Sequence, residues 1–145
     1  MKAFWIFRAI VLVSCLAFLP AYSQSPNHTM SVNVPFSFEL GNQHFAPGVY
    51  TIKTPLQNVV ELQGRSKVGM FMTINGQSYK PTKATKIVFD RYGDHYFLRQ
   101  IWFNAEETAY LECPESKAER QAKTGELASN QKSSSNVEIA ILRLP

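Results

Sequence analysis

The stretch that most constrains this chain is Thr85 to Asn104. Two runs rich in β-branched and aromatic residues, Ile87-Val88-Phe89 and Tyr96-Phe97-Leu98 to Ile101-Trp102-Phe103, flank Asp90-Arg91-Tyr92-Gly93-Asp94. That pattern predicts a β-hairpin. Gly93 is its punctuation, because glycine adopts positive φ without steric cost. Two registers are open. A type I turn over Asp90 to Gly93 with a bulge at Gly93 places Phe89 opposite His95 and Ile87 opposite Phe97. A two-residue Gly93-Asp94 turn instead pairs Tyr92 with His95 and Phe89 with Leu98. The first is preferred, because it gathers Ile87, Phe89, Phe97, Ile101 and Phe103 on one face and leaves Val88, Tyr96, Leu98 and Trp102 on the other. A slip of one residue would exchange a strand's faces. Either register leaves apolar groups on both faces, which predicts a hairpin central in a two-layer structure.

The chain begins as an export signal does. Lys2 and Arg8 precede an uncharged apolar run, Ala9 to Leu19, followed by Pro20 and Ala21-Tyr22-Ser23. This reads as a signal peptide over residues 1–23, cut between Ser23 and Gln24. The apolar run is too short to span a bilayer, so no transmembrane segment is expected after cleavage. Leu12-Val13-Ser14-Cys15 offers an alternative, a lipobox that would lipidate Cys15. Against it, only Ala9 to Ser14 separate Arg8 from the cysteine, and Leu16 to Leu19 continue apolar beyond it. Removing 23 residues leaves 122, enough for one domain with a core of its own. It also leaves 13 basic against 11 acidic residues, a net charge of +2 that gives no reason to expect nucleic acid as a partner. Only Cys113 remains, so the fold must rest on packing without an internal disulfide. These features fit a periplasmic or secreted bacterial protein.

The remaining chain divides into a disordered start, 24–30, and one β-rich domain, 31–145. Val32, Val34, Phe36 and Phe38 alternate with polar neighbours through a candidate strand Met30 to Leu40, in which Pro35 demands an edge or a bulge. Further strands are expected at Val49 to Lys53, ended by Pro55, at Val59 to Leu62 and at Gly69 to Ile74, where Asn75-Gly76 signals a turn. Ala109 to Cys113 and Val137 to Leu144 complete the set. Ser116 and Glu119 form a capping box ahead of a helix within 116–128, whose apolar stripe would be Ala118, Ala122 and Leu127. A polar linker, 129–136, follows. Seven or eight short strands with one short helix predict an all-β fold, a small β-sandwich or flattened barrel.

Several of these stretches together carry a resemblance. They are Val34-Pro35-Phe36-Ser37-Phe38, Ala46-Pro47-Gly48-Val49-Tyr50, Arg91 to Leu98 with Ile101-Trp102, and Ser116-Lys117-Ala118-Glu119-Arg120. In order and spacing the chain resembles, from about Val32 to Gln121, a group of small exported proteins known mainly from acidobacterial genomes. The resemblance implies an exported bacterial protein. It brings no activity and no catalytic or binding residue with it.

The residues themselves offer little chemistry. Asp90, Asp94 and His95 crowd the hairpin tip, but the spacing of a metal site is missing and turn-capping explains them, so neither metal nor cofactor is expected. Cys113 with His95 would need a third group to orient the histidine. Ser129-x-x-Lys132 lies in the polar linker, where no oxyanion hole is expected. Lys80, Lys83 and Lys86 recur every third residue, which alternates faces on a strand and reads as a solvated basic segment. Asp90, Gly93 and Asp94 are assigned to the turn, and Arg91, Tyr92, His95 and Arg99 to a possible interaction surface. The expectation is a non-enzymatic envelope protein that binds or scaffolds, with a protein or polysaccharide as partner. The alternative is a carrier of a small hydrophobic ligand or lipid, whose slot the many aromatics would line; a hydrolase ranks below both.

Overall fold

The computed structural model describes residues 28–128 and 135–140. The leader with its Ser23–Gln24 boundary, Cys15, and the Ser129 and Lys132 pair lie outside the described residues. Among those described, the chain is all-β with one short helix: eleven strands in two sheets. The strands are β1 (Thr29–Val34), β2 (Phe38–Leu40), β3 (Gln43–Phe45), β4 (Gly48–Leu56), β5 (Val59–Gln63), β6 (Val68–Met72), β7 (Ile74–Gln77), β8 (Lys86–Tyr92), β9 (His95–Trp102), β10 (Ala109–Glu112) and β11 (Ser135–Ala140). The helix α1 (Lys117–Ala128) lies between the last two. One sheet has the order β1-β4-β5-β6. The other runs β11-β8-β9-β10-β7, with β2 joined in parallel to β9 and β3 paired to β2.

The core fills the space between the sheets. From the first sheet Met30, Val32, Val34, Tyr50, Ile52, Val60 and Leu62 point inward, against Ile87, Phe89, Leu98 and Ile101 of the second. Phe38 and Phe45, ring centroids 5.2 Å apart, close the space beside them. β1, β4 and β5 bury alternate residues, as a sheet with one face on a core must, whereas β8 and β9 bury neighbouring residues as well, among them Val88, Phe97 and Trp102.

Several strands depart from the sequence-based expectation. The candidate strand Met30 to Leu40 is two strands in different sheets. The chain crosses between them at Pro35-Phe36-Ser37, so the proline, which has no amide to give to a ladder, sits in the crossing rather than in a sheet. Thr29 and Met30 belong to β1, opposite Lys53 and Ile52, and Met30 is buried, so the disordered start at 24–30 does not reach them. Pro55 does not end β4; the strand runs through it with a register shift between Lys53 and Leu56. Gly69 to Ile74 is likewise split, at buried Thr73, into an edge strand of each sheet. Asn75-Gly76 is no turn but part of β7. Gly76 lies opposite Tyr110, whose ring occupies the place a Cβ would take. The last strand begins at Ser135, two residues before the expected Val137, and so takes in the last two residues of the expected linker.

The hairpin takes the register that was not preferred. Tyr92 pairs with His95 and Phe89 with Leu98 around a two-residue Gly93-Asp94 turn, with Gly93 at φ 61°. Val88 then pairs with Gln100, which leaves Arg99 as an unpaired extra residue, a β-bulge. The bulge changes parity within β9. Tyr96 and Leu98 face the core before it, and Ile101 and Phe103 after it. Neither uniform assignment of faces anticipates this. The bulge also falls where β9 changes neighbour: β2 pairs with it at Phe97, and β10 at Gln100 and Ile101.

Candidate functional site

The residues assigned to an interaction surface lie near one another on the hairpin but do not form one exposed face. Tyr92 is buried and packs on Phe97 at 6.0 Å between ring centroids. His95 is largely exposed, with Nδ1 3.5 Å from Glu39 Oε1. Arg91 Nε donates to the Gly93 carbonyl at 2.7 Å, and its guanidinium lies over the Tyr96 ring. Asp94 is fully exposed and only 3.9 Å from Arg91, a solvated turn residue. Cys113 is 1% exposed and belongs to the core; burial pushes its thiol up to about 12, so it stays protonated at neutral pH.

Arg99 is the centre of a charge cluster that links three elements. Its guanidinium lies 3.6 Å from Asp90 on β8, 3.4 Å from Glu112 on β10, and 3.8 Å from both Glu115 and Glu119 at the start of α1. Nη1 also donates to the Cys113 carbonyl at 3.2 Å, and the Cys113 amide donates to the Arg99 carbonyl at 2.8 Å. That bond continues the β9–β10 register by one residue beyond Glu112 and Gln100. Ser116 Oγ accepts from the Glu119 amide at 3.0 Å, the N-cap bond the sequence predicts. The helix face differs from the expected stripe, however. Leu127 is exposed, and the residue α1 buries is Glu119, 3% exposed and turned toward Arg99. Burial raises the Glu119 pKa, and Arg99 opposes the rise. Asp90 is raised for the same reason, since the loss of water outweighs the attraction of Arg99. Glu115 is lowered, chiefly by its hydrogen bond from Lys123 at 3.2 Å. At the far end of α1, Glu126 accepts from the Gly93 amide at 3.3 Å. The cluster and this bond hold the helix on the hairpin. Among the described residues no group of three or more His, Cys, Asp or Glu gathers so as to hold a metal ion.

A different surface is open. β6 is the outer strand of one sheet and β7 the outer strand of the other, and they are consecutive through Thr73. Residues 68–77 thus form one extended segment along the edge of both sheets. Val68, Met70, Met72 and Ile74 alternate along it and are 56, 62, 77 and 57% exposed. Leu56, 63% exposed, lies beside this row, because Val59 pairs with both Leu56 and Met72. The alternation was legible in the sequence, but the residues were assigned no role there. Strand periodicity cannot say which face is covered. The sequence flanks are basic: no Asp or Glu occurs between Glu61 and Asp90, while Arg65, Lys67, Lys80 and Lys83 do; Lys86, on β8, is paired with Glu138 at 2.8 Å.

Fold and surface together define a two-sheet β-sandwich with an open apolar edge. No family model, curated protein or solved structure matches the chain. Among the described residues no helix is long and apolar enough to cross a membrane.

Proposed function

We propose that this is an exported, non-enzymatic binding domain of the bacterial envelope that takes up an extended segment of a partner protein along residues 68–77. The observation that carries the reading is the row Val68, Met70, Met72 and Ile74 on the open edge of both sheets. An open edge offers unpaired backbone groups, and soluble proteins blunt such edges with charge, proline or cover. Here β6 and β7 carry no charge and no proline. An added strand would satisfy the backbone and cover alternate side chains, and the two methionines would adapt to its shape. The occupant is a partner rather than a second copy of the edge. Like copies would bring their basic flanks together, whereas an apolar strand with acidic residues at its ends complements them.

The test is a synthetic peptide of alternating valine and threonine with glutamates at both ends, titrated into the protein while amide exchange is followed. Protection should appear at residues 68–77, and Met70→Lys with Met72→Lys should abolish it. Protection elsewhere, or a concentration-dependent dimer that protects the same amides without peptide, would refute the reading.

A further inference from the structure

The sequence has four methionines, Met1, Met30, Met70 and Met72. Met30 points into the core and is buried, whereas Met70 and Met72 are exposed at consecutive outward positions of β6. Between them Phe71 takes the opposite parity and packs on Phe45, with ring centroids 6.0 Å apart. The strand is therefore held through Phe71, and the two methionine side chains can change without disturbing its packing. Their cross-strand neighbours are Glu61 and Val59 of β5.

Methionine ordinarily fills irregular gaps in a core. On β6 it stands where β-branched residues suit a strand better, and the same row is built that way at its two ends, with Val68 and Ile74. What methionine adds is a soft, polarisable thioether. The other sulfur of the described residues beside Met30, that of Cys113, is buried, and its thiol stays protonated at neutral pH. An oxidant that meets the folded domain thus reaches the sulfurs of Met70 and Met72 ahead of those of Met30 and Cys113.

We infer that Met70 and Met72 form a reversible oxidation site for hydroperoxides, and that oxygen added there closes the edge to its partner strand. The inference rests on the strand-binding reading of residues 68–77. In the reaction the thioether sulfur attacks the outer oxygen of the hydroperoxide. An S–O bond forms as the O–O bond breaks, and the sulfur gives two electrons to the peroxide. The leaving oxygen takes the hydroxyl proton and departs as an alcohol, or as water from hydrogen peroxide. The sulfoxide is polar, and methionine sulfoxide reductases reverse the step. In the free protein the new oxygen stays in water. Under an apolar strand it would lose that water and find no donor on the side chains of Val68, Ile74 or Leu56, and an acceptor buried unpaired disfavours binding.

The test treats protein made from the full chain with hydrogen peroxide and maps it by mass spectrometry. Met70 and Met72 should each gain one oxygen, while Met30 gains none until urea unfolds the domain. The valine-threonine peptide with glutamate ends should then bind the oxidised protein at least about tenfold more weakly than the untreated protein. Met70→Leu with Met72→Leu keeps the row apolar and removes both sulfurs, so it should bind the peptide like the parent, before and after treatment. Oxidation of Met30 as fast as Met70 and Met72, unfolding of the oxidised protein, unchanged binding after oxidation, or an equal loss of binding in the treated leucine variant would each overturn the inference and leave the strand-binding reading standing. Failure of the untreated protein to bind the peptide would refute that reading and the inference with it.

Discussion

Replacing Arg99 by methionine removes the one cation that four carboxylates approach, while keeping most of the side chain's apolar volume. Glu119 is 3% exposed, and Asp90, Glu112 and Glu115 are only partly solvated. Breaking a buried ion pair by removing one partner costs about 3–5 kcal/mol. Three of the four carboxylates keep some water, so about 3 kcal/mol is expected at pH 7. For a domain of this size that lowers Tm by roughly 10–15 °C. The pH dependence separates this cause from loss of packing. In the native protein Asp90 and Glu119 have raised pKa values. The folded state therefore holds their protons more tightly than the unfolded chain does. Their burden on stability is full above the raised values and is relieved as pH falls through them toward the ordinary carboxylate range. Without Arg99 both values rise further, so the variant gains more from acid than the parent. Thermal melts of both proteins at pH 7 and pH 4.5 should show the deficit shrinking at the lower pH, and Glu119→Gln should restore part of it at pH 7. A deficit equal at the two pH values, or below about 1 kcal/mol at pH 7, would refute the view that Arg99 neutralises buried charge.

The hairpin turn gives two further tests. Gly93→Val should cost on the order of 1–2 kcal/mol in a urea melt, since φ 61° disfavours any residue with a Cβ and nothing lies within 4 Å of the added atom. Asp94→Ala should be neutral within about 0.5 kcal/mol, because Asp94 is fully exposed. In a Cys15→Ser chain, Cys113 should react with Ellman's reagent only once urea unfolds the protein; rapid reaction of the folded chain would contradict its burial and its raised pKa. Met70→Lys with Met72→Lys should leave the stability within about 1 kcal/mol of the parent, because both side chains are exposed; a large loss in the melt would show that they are covered in the folded chain.

What the sequence by itself determined is local. Alternating apolar residues and turn-forming glycine make the chain all-β, Gly93 takes the positive φ its turn needs, and Ser116 caps the helix whose start it marks. These outcomes depend on backbone sterics and on hydrogen bonds within a few residues. The tertiary structure decided which face of each strand is inside. The hairpin strands are apolar on both faces, so their own pattern cannot choose between them. The choice came from the opposing sheet together with the bulge at Arg99, which moves the inward positions from Tyr96 and Leu98 to Ile101 and Phe103. In the same way Asn75-Gly76 became strand because Tyr110 lies across it, and the Ala118, Ala122 and Leu127 stripe gave way to Glu119 because Arg99 waits beneath α1. The exposed row on β6 exists only where segments distant in the chain fail to meet, and no local pattern records that.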